Sequence, residues 1–149
     1  MAELDDEAFF RRPATQVNAV ALIVKHLAGN LRSRWTGFLT SDGEKNRNRD
    51  DEFVVAPQDT RSSLMAQWDD GWHALEETLE TLDQTDPQTI ITIRGETHSV
   101  QQALLRGLSH AAYHTGQILY LARMWKPDAP WLTIPPGESK SHTPGYRTP

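Results

Sequence analysis

There is no cysteine anywhere in this chain of 149 residues. Disulfides, thiolate nucleophiles and cysteine-type zinc sites are therefore excluded together, and any metal must be held by nitrogen and oxygen ligands. Apolar residues are sparse at 38%, and mean hydropathy is −0.59. Five Trp supply much of the bulk that remains. Such a composition describes either a small, heavily solvated domain or one that completes its core with a partner. No apolar run approaches the roughly 20 residues of a membrane span. The start, Met1-Ala2-Glu3-Leu4-Asp5-Asp6-Glu7, is acidic, unlike a secretory signal. A cytoplasmic location without membrane attachment is the expectation. Positive charge is in deficit as well, with a net charge of −5. The arginines are scattered along the chain and form no stripe, so no nucleic-acid partner is expected. The length allows one domain with a real core and is short for two.

What the chain does have is His110-Ala111-Ala112-Tyr113-His114 inside a long helical stretch, Leu104–Met124. Two imidazoles four residues apart on a helix stand about 40° apart around its axis, one turn above the other. Both rings can then reach one point in space, as two ligands of one metal ion must. Gly107 and Ala103 lie one and two turns earlier on that face, small enough to let another helix approach. Gln117 follows His114 by one turn, placed to hydrogen-bond a bound group. The same spacing is also met by two partly exposed imidazoles on a polar face. A third ligand elsewhere is what would separate the two readings.

Helical periodicity organises the rest. A first long helix fits Thr15 or Asn18 through Phe38, with Val20, Val24, Leu27, Leu31, Trp35 and Phe38 as one stripe and Ala19, Leu22 and Ile23 as a second. A helix apolar on two sides is buried between neighbours. His26 projects from its second face, one turn before Asn30, and a buried histidine needs partners. Before this helix, Phe9-Phe10 reads as an exposed pair closed off by Pro13. From Thr40 to Pro57 the pattern dissolves into a long polar loop, either functional or a solvated connector. Asp59 or Thr60 can cap a second helix to about Leu82, striped by Leu64, Trp68, Trp72, Leu75, Leu79 and Leu82. Gly71 in its middle marks a close packing contact, and His73 lies off the stripe. Thr89–Ile93 is β-branched and too short for a helix, and Arg94-Gly95-Glu96 is turn chemistry, so a small ribbon over Thr89–His98 is expected. Ser99 with Gln102 forms a capping box for the last helix. Leu104, Leu108, Ala111, Ala112, Leu119 and Ala122 are its expected core face, with His110 and His114 at the rim near Ile118 and Leu121. Pro127 ends it. Residues 1–126 thus form one helical bundle, N-terminally short, and 127–149 an extended, Pro-rich tail anchored by Trp131, Leu132 and Ile134.

The stretches Val24-Lys25-His26-Leu27-Ala28-Gly29-Asn30 and His110-Ala111-Ala112-Tyr113-His114-Thr115-Gly116-Gln117-Ile118 together resemble the DinB/YfiT-like superfamily. Trp35 and the Asp42-Gly43-Glu44-Lys45 loop place the similarity nearest an uncharacterised branch, over about Asp6 to Lys126. The resemblance implies an all-α, four-helix bundle, here with a short β-ribbon before the last long helix, commonly dimeric. Relatives usually carry an additional helix ahead of the segment matching Asp6–Pro13. Three long helices are read here, and the first of the usual four is expected to be missing or replaced by a partner chain or the tail.

By the same resemblance His26, His110 and His114 are the three ligands of a divalent metal, with Asn30 and Gln117 as weaker candidates for contacts to the ligands or to substrate. Neutral imidazoles suit zinc, nickel, iron and copper; zinc or nickel is the first expectation, with iron or manganese as further options. Three histidines leave an open coordination position, the design of a catalytic site. Lacking the Glu of HExxH, the motif has no built-in general base of a metalloprotease. Characterised relatives include thiol-dependent transferases and an isomerase. The implied function is a metal-dependent, thiol S-transferase-like enzyme acting on a small thiol and an electrophile, or activating water. The alternatives are a non-catalytic metal-binding or stress-related bundle, and a metal-dependent hydrolase. For a metal-free site the three ring nitrogens are expected about 3–4 Å apart.

Overall fold

The computed structural model describes residues 3–131 and 134–141. Among them are three long α-helices, one short one and a two-stranded antiparallel ribbon placed before the last long helix. The bundle expected from periodicity is therefore present.

Helix α1 is Asp6–Phe10, opened by Asp5, whose carboxylate accepts from the Ala8 N–H at 2.8 Å. It corrects the reading of Phe9-Phe10 as an exposed pair. One turn of helix swings Phe9 inward until it is fully buried, and Phe10 stacks edge-on against it with ring centres 5.2 Å apart.

Helix α2, Val20–Trp35, is the axis of the fold. It starts later and ends sooner than periodicity predicts, because Thr36 is extended and Gly37 turns the chain at a φ of +63°. Both of its apolar faces are buried: Val20, Val24, Leu27 and Leu31 on one side, Leu22 and Ile23 on the other. Helix α3, Arg61–Thr81, opens with Thr60 and Ser63 exchanging side-chain-to-backbone hydrogen bonds. It crosses α2 at Gly71, where a Cβ would lie 3.0 Å from the Ala28 carbonyl oxygen, the close contact that residue marks. Leu64 of its stripe is buried, Trp68, Trp72, Leu75 and Leu82 are half-buried against the core, and Leu79 is exposed.

Strands β1, Ile90–Ile93, and β2, Glu96–Ser99, pair with Ile91 opposite His98. Arg94 and Gly95 both take positive φ at the turn (55° and 77°), as a tight two-residue hairpin requires. Ile91 and Ile93 face the core while Ile90 faces solvent. Ser99 and Gln102 then form the expected capping box of α4, Val100–Trp125.

The inward face of α4 departs from expectation. Leu108, assigned to the core, is 67% exposed, and Leu119 and Ala112 are exposed too. The helix is rotated so that Val100, Ala103, His114, Ile118 and Leu121 are buried. The packed face is chosen by size rather than apolarity: at Gly107 any Cβ would lie 2.7 Å from the Trp35 ring. Beyond α4, Arg123 lies over the Trp131 ring at 4.0 Å, and turns close at Pro135–Glu138 and Glu138–Ser141. Leu132 falls outside the described residues. No helix among them is long and apolar enough to cross a membrane.

Candidate metal centre

The rotation of α4 carries two histidines toward α2. His26 reaches them from the middle of α2, and its Nε2 lies 3.2 Å from Nε2 of His110. One nitrogen from each of His26, His110 and His114 lies within 4.8 Å of the others, so the three could hold a metal ion. A tetrahedral zinc site, with nitrogens roughly 2.0–2.1 Å from the ion, has edges of about 3.3 Å. The His26–His110 edge already matches that spacing, while 4.8 Å as the outer bound is looser than the expected range.

Each ring's second nitrogen decides which face is offered. The Nδ1–H of His26 donates to Glu52 Oε2 at 2.8 Å, and the Nδ1–H of His114 donates to Gln117 Oε1 at 2.8 Å. Both rings therefore turn Nε2, the nitrogen left to ligate a cation, toward the shared point. Phe53 stacks on the His26 ring at 4.7 Å. Burial, followed by His114 and His26, pushes the pKa of His110 down to about 4, so it stays neutral near neutrality. Burial also lowers that of His114, against the opposing hydrogen bond to Gln117. Three converging imidazoles, two of them with pKa values pushed down by burial, are a donor set for a divalent transition metal.

Most of what holds His26 comes from the polar loop, which is ordered as two short 3-10 turns, Gly43–Asn46 and Asp50–Phe53. Arg47 sits between two buried carboxylates. It donates to both oxygens of Glu52 (Nε 2.7 Å, Nη2 2.6 Å) and to both of Glu44 (3.0 and 3.1 Å). Burial alone would raise both carboxyls. For Glu52 the hydrogen bonds from His26 and Arg47 outweigh it, and for Glu44 the Arg47 charge and the Ser33 hydroxyl do, so both lie below the ordinary carboxylate range. The loop fits because Gly29 has no side chain: a Cβ there would stand 2.2 Å from Glu52 Oε1. Asp42 fastens the loop to the ribbon by accepting from the N–H groups of Arg94 (3.0 Å) and Gly95 (2.8 Å).

Of the weaker candidates, Gln117 touches a triad histidine directly. Asn30 donates to Glu44 Oε1 at 2.9 Å, and its side chain is linked to His26 through Glu44 and Arg47, whose Nη2 donates to the His26 carbonyl at 3.1 Å. Of the three loop residues Glu44, Arg47 and Glu52, Glu44 stands in the stretch that carries the family resemblance, but none was given a role from sequence. Their signal was faint: a loop of alternating charge, and a glycine three residues after His26. A cavity of about 440 Å³ opens onto the triad, bounded also by Arg34, Arg106 and Tyr113. A larger hollow of about 560 Å³ lies on the other side of Arg47 and Glu52 and includes none of the three histidines.

No curated protein and no solved structure matches this chain. A family model described as "Protein of unknown function (DUF1572)" matches residues 1–138. The helical bundle, its ribbon and its histidine cluster are therefore those of a chain that belongs to the DUF1572 family.

Proposed function

We propose that this chain is a metal-dependent enzyme of the DinB/YfiT-like type, with a divalent ion, zinc or nickel ahead of iron or manganese, on His26, His110 and His114. The observation that carries this reading is the convergence of the three rings, two of them with Nδ1–H held by Glu52 and Gln117. When bound, the ion would supply a Lewis acid that lowers the pKa of a thiol or of water. The chain's own contribution is to bind through three neutral imidazoles, to keep protons at two Nδ1 atoms, and to leave one side of the cluster open to the cavity. An open side favours turnover over a purely structural or sequestering site. With no cysteine of its own, the chain would draw its thiol from a small molecule, and an electrophile would be the second substrate. Hydrolysis is the variant in which water takes the thiol's place.

Elemental analysis of natively purified protein, followed by thiol-consumption assays with a panel of electrophiles, tests the reading. His26→Ala leaves the HxxxH pair intact. It should cost more metal affinity than the roughly 10–100-fold lost when only a ligand's hydrogen-bond partner is removed. Metal retained as tightly as by the parent would sink the triad.

We also infer a homodimer. Trp35 and Phe9 are buried within the chain, and Trp68 and Trp72 are half-buried. Much of the exposed apolar surface is on α4, where Leu105, Leu108, Leu119, Tyr120 and Met124 are exposed, and large apolar patches seldom stay solvated. Light scattering at micromolar concentration should give a dimer for the parent and a monomer for Leu108→Glu. A parent that is a stable monomer refutes it.

A further inference from the structure

We propose that the cavity beside the three histidines binds a small oxyanion, a carboxylate or phosphate carried by the substrate, through Arg34. The proposal names the substrate class for the metal-site reading and rests on that reading for its catalytic meaning.

Arg34 follows His26 and Asn30 along α2 at four-residue steps, and all three line the cavity. It is 9% exposed, and its Nε is buried with no hydrogen-bond partner. A guanidinium is charged at any ordinary pH and presents its donors as a fixed fork. Burying one with a donor unused is costly and asks for an explanation. Its nearest acid, Glu44, stands 3.6 Å from Nη2, too far for a hydrogen bond. Glu44 has no capacity to spare: Oε1 already accepts from Asn30, Ser33 and Arg47, and Oε2 from Arg47 and Arg94. A carboxylate offers about four lone-pair sites.

The surroundings point the same way. Arginines scattered in sequence gather in space, so that Arg34, Arg47, Arg49, Arg94 and Arg106 line this cavity against the single acid Glu44. Arg47 is neutralised by Glu44 and Glu52, and Arg94 leans on Glu44. Arg34 keeps only its 3.6 Å contact to Glu44, and Arg49 and Arg106 have no carboxylate partner among the described residues, on a chain whose net charge is −5. A second buried nitrogen without a partner, His110 Nδ1, is on the same wall. An oxyanion supplies what this wall lacks, namely negative charge together with several acceptors in one plane or tetrahedron. The cavity is large enough for a small molecule and no more.

Calorimetric titration of the full chain, metal-free and zinc-loaded, tests this with three probes: malonate, its neutral analogue malonamide, and, for the metal-free protein, inorganic phosphate. At least one anion should bind the metal-free protein while malonamide does not. Arg34→Gln should weaken that binding about tenfold or more, the usual consequence of losing a charge-assisted hydrogen bond, with zinc affinity unchanged and Arg34→Lys intermediate. Should Arg34→Gln not fold, Arg106→Gln, an exposed position, should weaken binding by a few-fold through lost charge. Malonate alone, or phosphate alone, identifies which oxyanion is preferred. Anions that bind no better than malonamide, or a folded Arg34→Gln that binds them like the parent, overturn the proposal. Zinc affinity that survives His26→Ala counts against the metal site only, because anion binding is read in the metal-free protein.

Discussion

Replacing Glu52 by Gln keeps the shape of the side chain and removes its charge, and its consequences can be worked out contact by contact. Glu52 Oε2 accepts from His26 Nδ1 and from Arg47, and Oε1 accepts from Arg47 again. An amide has one oxygen, so its NH₂ must face either Arg47 or the His26 Nδ1–H, a donor against a donor. Breaking one side of a buried ion pair costs about 3–5 kcal/mol. Arg47 keeps Glu44, which places the expected loss near the lower end, about 3 kcal/mol. With the His26 tautomer no longer held, metal affinity should fall roughly 10–100-fold. Urea unfolding of the metal-free protein reads the first quantity, and competition against a chelator reads the second. The pH dependence gives an internal control. Because the folded Glu52 carboxyl lies below its ordinary value of 4.5, its stabilisation is present above that value and lost as pH falls through the folded one. The difference between parent and Glu52→Gln should therefore shrink in acid. A difference below about 1 kcal/mol at neutral pH, or metal affinity within twofold of the parent, would refute the role given to this loop.

Two further outcomes follow from burial. In the metal-free protein His110 titrates near 4 instead of 6.5, so the stability it contributes is complete above 6.5 and is lost progressively as pH falls toward 4; His110→Gln should flatten the urea midpoint across that window, and an unchanged slope would contradict it. Phe9→Ala should cost about 3–5 kcal/mol, since the ring is fully buried; a loss under about 1 kcal/mol in the same assay would mean that α1 is not part of the core.

The extents of α3, the ribbon and α4 were legible because apolar period, capping residues and turn glycines agreed on them. The HxxxH pair was legible from spacing; for His26 its place on a helix apolar on both sides gave burial, and only the family resemblance joined it to the pair. The inward face of α4 was not, since two faces of that helix satisfy the period. The one holding Ala103, Gly107 and His114 wins by admitting Trp35, a contact 72 residues away that periodicity does not carry. Glu44, Arg47 and Glu52 were hidden for a different reason. Polar composition reads as solvated, and these three become buried only by neutralising one another. Phe9 was missed because five residues are too few to display a period.

Asp42, at the start of the loop, grips the turn of the ribbon through two backbone N–H groups. A hairpin of two four-residue strands is marginal on its own, and a loop of alternating charge has little apolar surface to hold it down. Neither can open while the other stays closed without breaking that grip, so hydrogen exchange should show their amides opening as one unit. The histidines stand on helices that would remain folded through such an opening, but Glu52 would leave with the loop and take the orientation of His26 with it. How long the cluster keeps its geometry is thus governed by the opening rate of an element that bears no histidine of the three.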